Sequence, residues 1–164
     1  MYPLQSKKLW DETTANLEEV YVHTEARELA FRLLHHLTGY NKTDLLLNKE
    51  IQDFNVDFFN NGIQKLLKET PLQYIIGHTT FYNSNFKVNQ NVLIPRPETE
   101  ELVEIIIKEN SELNGIRILD IGTGSGCIPV TLAKNLNYAK VFAIDISEGA
   151  LQTAKENAVA NSTE

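Results

Sequence analysis

Ile118-Leu-Asp-Ile-Gly-Thr-Gly-Ser-Gly126, followed by Val141-Phe-Ala-Ile-Asp145, is the stretch on which the fold turns. An apolar run enters a turn with glycines at 122, 124 and 126, and a second apolar run ends on an acid. Glycines let a backbone turn sharply and approach a ligand where a side chain would clash. Helical patterning over Cys127–Leu136 and Ser147–Ala160 gives the order strand, glycine loop, helix, strand, helix. That order predicts a βαβ unit and so a parallel sheet. Ser147 is placed to cap the last helix, its hydroxyl accepting the N–H of Gly149 or Ala150. A glycine loop whose following helix points free N–H groups at a ligand is the layout of a nucleotide-type cofactor site.

The spacing narrows the cofactor. A dinucleotide fingerprint, Gly-x-Gly-x-x-Gly, would put its third glycine at 127, where this chain has Cys127. An NAD-dependent dehydrogenase is disfavoured on that ground. The tighter spacing, with Asp120 two residues ahead of Gly122, resembles that of S-adenosylmethionine (SAM) methyltransferases. Asp145 stands about twenty residues past the loop, where a carboxylate can accept two hydrogen bonds from a ribose diol. Asp120 lies between Leu119 and Ile121 in an apolar strand and is expected to be partnered. Its role would be to orient the loop through backbone N–H groups or to meet the methionine amino group.

Composition sets outer bounds. The 164 residues suffice for one or two domains, and 42% hydrophobic with 23% charged residues is ordinary for a soluble globular protein. A net charge of −7 argues against nonspecific nucleic-acid binding, which needs many Lys/Arg–phosphate contacts. It suits a protein or small-molecule substrate. The single cysteine excludes an intramolecular disulfide and points to a reducing compartment. No apolar run approaches the ~20 residues that span a bilayer. Met1-Tyr-Pro-Leu-Gln-Ser-Lys-Lys-Leu-Trp10 lacks the apolar core of a signal peptide. A cytoplasmic protein with no membrane partner is expected.

The first seventy residues read as helical. Ala26, Leu29, Ala30, Leu33, Leu34 and Leu37 form one apolar face, with His35 and His36 in the last turn and Gly39 just past it. Thr43–Glu50 predicts a short helix, and Val56–Lys68 another with Phe58, Phe59, Ile63, Leu66 and Leu67 buried. Pro71-Leu-Gln-Tyr-Ile-Ile-Gly77 predicts one more helical turn. His78–Tyr82 and Phe86–Val88 then flank Asn83-Ser-Asn85 as a hairpin whose second arm Val92-Leu-Ile94 would continue. Pro95-Arg-Pro97 stops the strand, and Pro97 suits a helix's first turn. Glu98, Glu100 and Glu101 favour its positive end, and Leu102, Val103, Ile106 and Ile107 give its apolar face. His23, His35, His36 and His78 have no metal-ligand spacing, so no metal is expected. Cys127 opens a helix but has no base partner to make it a nucleophile. Trp10, Phe31, Phe58 and Phe59 read as core or interface.

Taken together, several segments resemble the HemK/PrmC family of SAM-dependent methyltransferases. They are Pro71–Gly77, Phe81-Tyr82, Phe86-Lys-Val88, Val92-Leu-Ile-Pro-Arg-Pro-Glu-Thr-Glu-Glu-Leu-Val103 and Ile118–Gly126. The Ile-Pro-Arg-Pro-Glu-Thr-Glu segment is far more specific than the loop, which many methyltransferases share. The resemblance implies an α/β protein. A helical N-terminal, release-factor-binding domain (1–75) would precede a β-hairpin linker (76–95). The first part of a Rossmann-like class I methyltransferase domain (96–164) would follow. It implies methyl transfer from SAM to the glutamine amide of the Gly-Gly-Gln motif in class 1 release factors. It also implies that Gly122, Thr123, Gly124, Ser125, Gly126 and Asp145 contact SAM. Arg96, Pro97, Thr99 and Glu100 would then lie near the active site.

The family's catalytic Asn-Pro-Pro-Tyr does not occur here. The prolines at 3, 71, 95, 97 and 129 include no adjacent pair, so no catalytic residue is expected in this chain. The resemblance thus implies an N-terminal portion, with a cofactor half-site and no substrate clamp, inactive alone. Ile118, Leu119 and Ile121 would sit on an unpaired apolar edge, so the chain alone is expected to self-associate or to leave its last ~50 residues poorly ordered. Two other classes fit the same residues less well: a release-factor-binding module without catalysis, and an adenine-amino methyltransferase acting on nucleic acid.

Overall fold

The computed structural model describes residues 4–163. Met1, Tyr2 and Pro3, in the stretch read above for a signal peptide, and Glu164 lie outside the described residues. The chain divides into two compact units, Met1–Ile76 and Gly77–Glu164.

The first unit is helical around a core of its own. Its elements are β1 (Leu4–Gln5), α1 (Ser6–Leu17), α2 (His23–Thr38), α3 (Lys42–Leu46), β2 (Glu50–Ile51), α4 (Val56–Leu66) and α5 (Leu72–Ile76). In α2 the stripe Ala26, Ala30, Leu33 and Leu34 is fully buried, and Leu29 and Leu37 flank it half-buried. Gly39 ends the helix in the left-handed region at φ 72° and returns its N–H to the His35 carbonyl. Trp10, Leu17, Leu45, Phe59, Leu66 and Leu72 pack on that stripe. Trp10 Nε1 donates to the Arg27 carbonyl at 3.0 Å, which satisfies the indole where it is buried.

Two elements differ from expectation here. The helix expected over 43–50 stops at Leu46, because Asn48 turns left-handed at φ 55°. Glu50–Ile51 is instead a short strand, antiparallel to Leu4–Gln5. The α3 start was encoded locally by a capping box of Asn41 and Asp44, whereas the β1–β2 pairing joins residues far apart in sequence. Helix α4 ends at Leu66, two residues early, before a left-handed Glu69 at φ 57°.

The second unit contains β3 (His78–Phe81), β4 (Ser84–Lys87), α6 (Pro97–Asn110), β5 (Arg117–Ile121), α7 (Cys127–Asn135), β6 (Lys140–Ile144) and α8 (Glu148–Ala160). Strands β3 and β4 form the hairpin, but its turn lies on Tyr82 and Asn83 and not on 83–85. Both residues have positive φ, 45° and 57°, the geometry whose twist matches a two-residue hairpin loop. Ser84 and Asn85 thereby join β4. The expected continuation through Val92–Ile94 forms no strand. Asn89 instead folds the chain back, its side chain accepting the Asn91 N–H at 2.8 Å. Val92 and Ile94 are buried all the same.

Helix α6 starts on Pro97 and buries Val103, with Ile106 and Ile107 half-buried. Leu102, assigned above to its apolar face, is 50% exposed. Strands β5 and β6 run parallel in the register Ile118↔Val141 and Ile121↔Ile144. Ile118 and Val141 turn toward the core formed by Phe81, Phe86, Val103, Val130 and Leu132. Leu119, Ile121, Phe142 and Ile144 occupy the other face and are exposed. The architecture is mixed α/β, with a helical first unit followed by the opening of a Rossmann-like domain.

Candidate cofactor site

The parallel pairing of β5 and β6 brings the glycine loop beside the end of β6. Gly122, Gly124 and Gly126 have φ of 81°, 54° and 77°, a region costly for residues with a Cβ. The N–H groups of Gly122 and Thr123 donate to the Ile144 carbonyl at 2.9 and 3.1 Å. The Gly126 N–H closes on the Thr123 carbonyl at 2.9 Å. A Cβ on Gly122 or Gly124 would meet nothing within 4 Å, so the loop is open there. A Cβ on Gly126 would stand 3.0 Å from the Ala154 Cβ, so the loop's end packs directly on α8.

Asp145 is joined to this loop. One carboxylate oxygen accepts the Gly124 N–H at 2.8 Å and the other accepts the Ser147 N–H at 2.9 Å. The N–H bonds from Ser147 and Gly124 hold its carboxyl below the ordinary 3.8, so it is ionised at neutral pH. Ser147 in turn caps α8, its hydroxyl accepting the Ala150 N–H at 3.2 Å.

Of the two roles expected of Asp120, bonding to loop N–H groups is not the one its Oδ2 takes. Its Oδ2 is buried without a hydrogen-bond partner among the described residues. The N–H groups of Gly122 and Thr123 go to the Ile144 carbonyl, and that of Gly124 goes to Asp145. The hydroxyl of Thr123 is likewise buried and unpartnered, and Ser125 is buried beside it. Two orphaned polar atoms beside an open glycine loop form a cradle that a polar ligand could complete. An apolar cleft of about 190 Å³ between α7 and α8 shares only Gly126 with this loop.

Arg96 caps α6 with extended backbone, and Pro97 occupies its first position. The Thr99 N–H returns to the Arg96 carbonyl at 3.0 Å. Glu100 reaches the hairpin, accepting the Tyr82 N–H at 3.0 Å. Burial pushes the Cys127 thiol up, which keeps it protonated and a poor nucleophile. His23 pairs with Glu18, and His35 Nδ1 meets the Tyr40 carbonyl at 2.9 Å while its ring stacks on Phe31. Among the described residues no group of three His, Cys, Asp or Glu could hold a metal. No helix among them is long and apolar enough to cross a membrane.

One residue of this neighbourhood escaped the sequence reading. Asn157 is 1% exposed in α8, and its side-chain amide donates to the Ser125 carbonyl at 2.8 Å. A signal existed: Ala150, Thr153 and Asn157 follow the i, i+3, i+7 spacing of a buried helix face.

A parallel βαβ unit whose glycine loop is held by an acid at the next strand's end opens a Rossmann-like methyltransferase domain. Residues 112–164 match the family described as "Methyltransferase domain". Such a domain works with a methyl donor. Residues 8–77 match the "PrmC N-terminal domain", so the chain carries a domain of that family followed by the start of a methyltransferase domain.

Curated relatives agree. The chain is 46% identical over 150 residues to a release factor glutamine methyltransferase of Flavobacterium psychrophilum, covering 88% of this chain and 53% of that protein. It is 44% identical over 144 residues to the protein of the same name from Bacteroides thetaiotaomicron, covering 87% and 51%. To that of Streptococcus pneumoniae it is 45% identical over 149 residues, covering 88% and 53%. The chain therefore spans about half the length of the curated relatives it matches.

Proposed function

We propose that this chain contributes the cofactor side to the transfer of a methyl group from SAM to the side-chain amide nitrogen of the glutamine in the Gly-Gly-Gln motif of class 1 release factors, and is inactive alone. The names of the relatives and the PrmC N-terminal match support the reaction and the substrate. The observation that carries the cofactor assignment is the Asp145 carboxylate, bonded at once to Gly124 and Ser147. Each of its oxygens keeps a lone pair, and a ribose diol can donate to both. Gly122 and Gly124 leave open space for the ligand's approach.

The buried Oδ2 of Asp120 is an acceptor suited to the ammonium of a methionine moiety, and the Thr123 hydroxyl to its polar end. The loop Gly122, Thr123, Gly124, Ser125 and Gly126 would hold the cofactor, whose sulfonium supplies an electrophilic methyl group. Arg96, Pro97, Thr99 and Glu100 would border the site through the hairpin that Glu100 grips. Residues 1–75 would dock the release factor, 76–95 would link the parts, and 96–164 would contribute the cofactor side. None of these residues is assigned to hold the target amide. The work would be done in the cytoplasm, where release factors act, without direct nucleic-acid contact, in keeping with the −7 charge.

The test is a titration of this chain with S-adenosylhomocysteine and, separately, NAD, read by NMR shifts. Binding of the first with a Kd of about 0.1 mM is expected, with loss in Asp145→Ala. No response to NAD and no methylation of a release factor by this chain alone are expected. Binding of NAD in place of S-adenosylhomocysteine would overturn the assignment.

A further inference from the structure

The side-chain amide of Asn157 is spent on two backbone segments, 70 and 32 positions away. Its Oδ1 accepts the Lys87 N–H at 2.7 Å and its Nδ2 donates to the Lys87 carbonyl at 3.0 Å. The side chain thus completes the edge of β4 as a neighbouring strand would. The second Nδ2 hydrogen goes to the Ser125 carbonyl at 2.8 Å. Ser125 stands between Gly124 and Gly126, both left-handed. Glycines impose little orientation of their own, so the Ser125 peptide takes its orientation from its partners. Asp145 holds the loop through the Gly124 N–H, and Asn157 holds it through the Ser125 carbonyl.

We propose that Asn157 is a positioning residue of the cofactor site, fixing the Ser125 peptide and coupling the β3–β4 hairpin to the glycine loop. The proposal rests on the cofactor reading given above and deepens it. Lys134, donating to Ser84 Oγ at 2.8 Å, and Asn161, donating to the Asn85 carbonyl at 3.2 Å, add outer links between the hairpin and α7 and α8. Asn157 carries that connection inward to the loop. A shift of the hairpin is then passed to the backbone that would cradle the cofactor.

Asn157→Asp is the informative variant. It keeps the shape and the acceptor for Lys87 N–H but removes both donors. A buried carboxylate facing two carbonyls takes up a proton more readily than an exposed one. Protonation returns one O–H donor to the pair of carbonyls. Around this site Lys87 pairs with Glu156 and Lys134 reaches Ser84 Oγ, and the carboxyls of Glu156 and Asp145 are held below their ordinary range by their hydrogen bonds. The buried Cys127 thiol stays neutral. His78 lines a polar cleft together with Lys87, Lys134, Glu156 and Asn157, so the readout is the ratio of variant to wild-type affinity at each pH.

For S-adenosylhomocysteine the expected ratio is about tenfold weaker binding at about pH 8, narrowing to about threefold or less near pH 5. Equal affinity at the higher pH, or a loss that persists unchanged at the lower, would overturn the positioning role. Amide hydrogen exchange of the ligand-free chains gives a second readout. Exchange at Gly124–Cys127 should quicken about tenfold in Asn157→Asp, and also in the uncharged Asn157→Ser, with α1 and α2 unaffected. Unchanged loop exchange in both overturns the proposal. A wild-type chain that does not bind S-adenosylhomocysteine overturns the cofactor reading instead, and the exchange result then decides the positioning role alone.

Discussion

Gly126 answers to two constraints at once. Its φ of 77° disfavours any side chain, and a Cβ there would lie 3.0 Å from the Ala154 Cβ and 3.1 Å from its Cα. Gly124, at φ 54°, carries only the first constraint, because the space around it is open. Gly126→Ala is therefore expected to cost about 2–3 kcal/mol, and Gly124→Ala about 1 kcal/mol. Urea unfolding followed by circular dichroism checks this, whereas Trp10 fluorescence reports the other unit. Equal costs for the two would show that the Ala154 contact relaxes freely. The need for glycine at 122, 124 and 126 was legible in the sequence. Their partners were not, since Ala154 approaches from α8 and Asp145 from the end of β6. The same gap shows at the start of the loop, where the N–H groups of Gly122 and Thr123 go to the Ile144 carbonyl at the end of β6.

The hairpin and α6 are joined through one side chain. Glu100 in the first turn of α6 accepts the Tyr82 N–H within the hairpin turn at 3.0 Å. Glu100→Ala leaves that N–H without its acceptor and should lower stability by about 1 kcal/mol. Glu100→Gln keeps a carbonyl oxygen at the same place and should cost only a few tenths. Thermal midpoints of the two variants decide it, and equal midpoints would remove Tyr82–Glu100 from the account. Helices were readable where their starts are local, as with Pro97 for α6 and Ser147 for α8. The hairpin's position was read nearly right and its turn one residue late. The Asn-Ser-Asn composition suggested a turn, but positive φ at Tyr82 is set by strand pairing, with Phe81 and Phe86 buried edge to face.

Each unit has a core of its own, built on Leu33 and Leu34 in one and on Phe81, Phe86 and Val103 in the other. The second is covered on one face of its sheet alone. Leu119 and Ile121 are 55% and 74% exposed, beside exposed Phe142 and Ile144. Parallel sheets are ordinarily covered on both faces, and a bare strand edge beside apolar surface promotes association. Concentration-dependent association of this chain is expected in sedimentation velocity, reduced by Leu119→Lys with Ile121→Lys. A monodisperse monomer at all concentrations would refute it.

The amino-acid sequence settled what depends on neighbours along the chain. The starts of α4, α6 and α8, the parallel βαβ order, the glycine loop, the acid at 145 and the family likeness of Val92–Val103 were readable there. Three-dimensional packing settled what depends on distant residues. It paired Leu4–Gln5 with Glu50–Ile51, left the Asp120 and Thr123 oxygens without partners, and drew Asn157 to both Lys87 and Ser125. Periodicity and turn chemistry report a residue's local backbone and the face it takes. A hydrogen bond across 32 or 70 positions is decided only when separate elements close on one another.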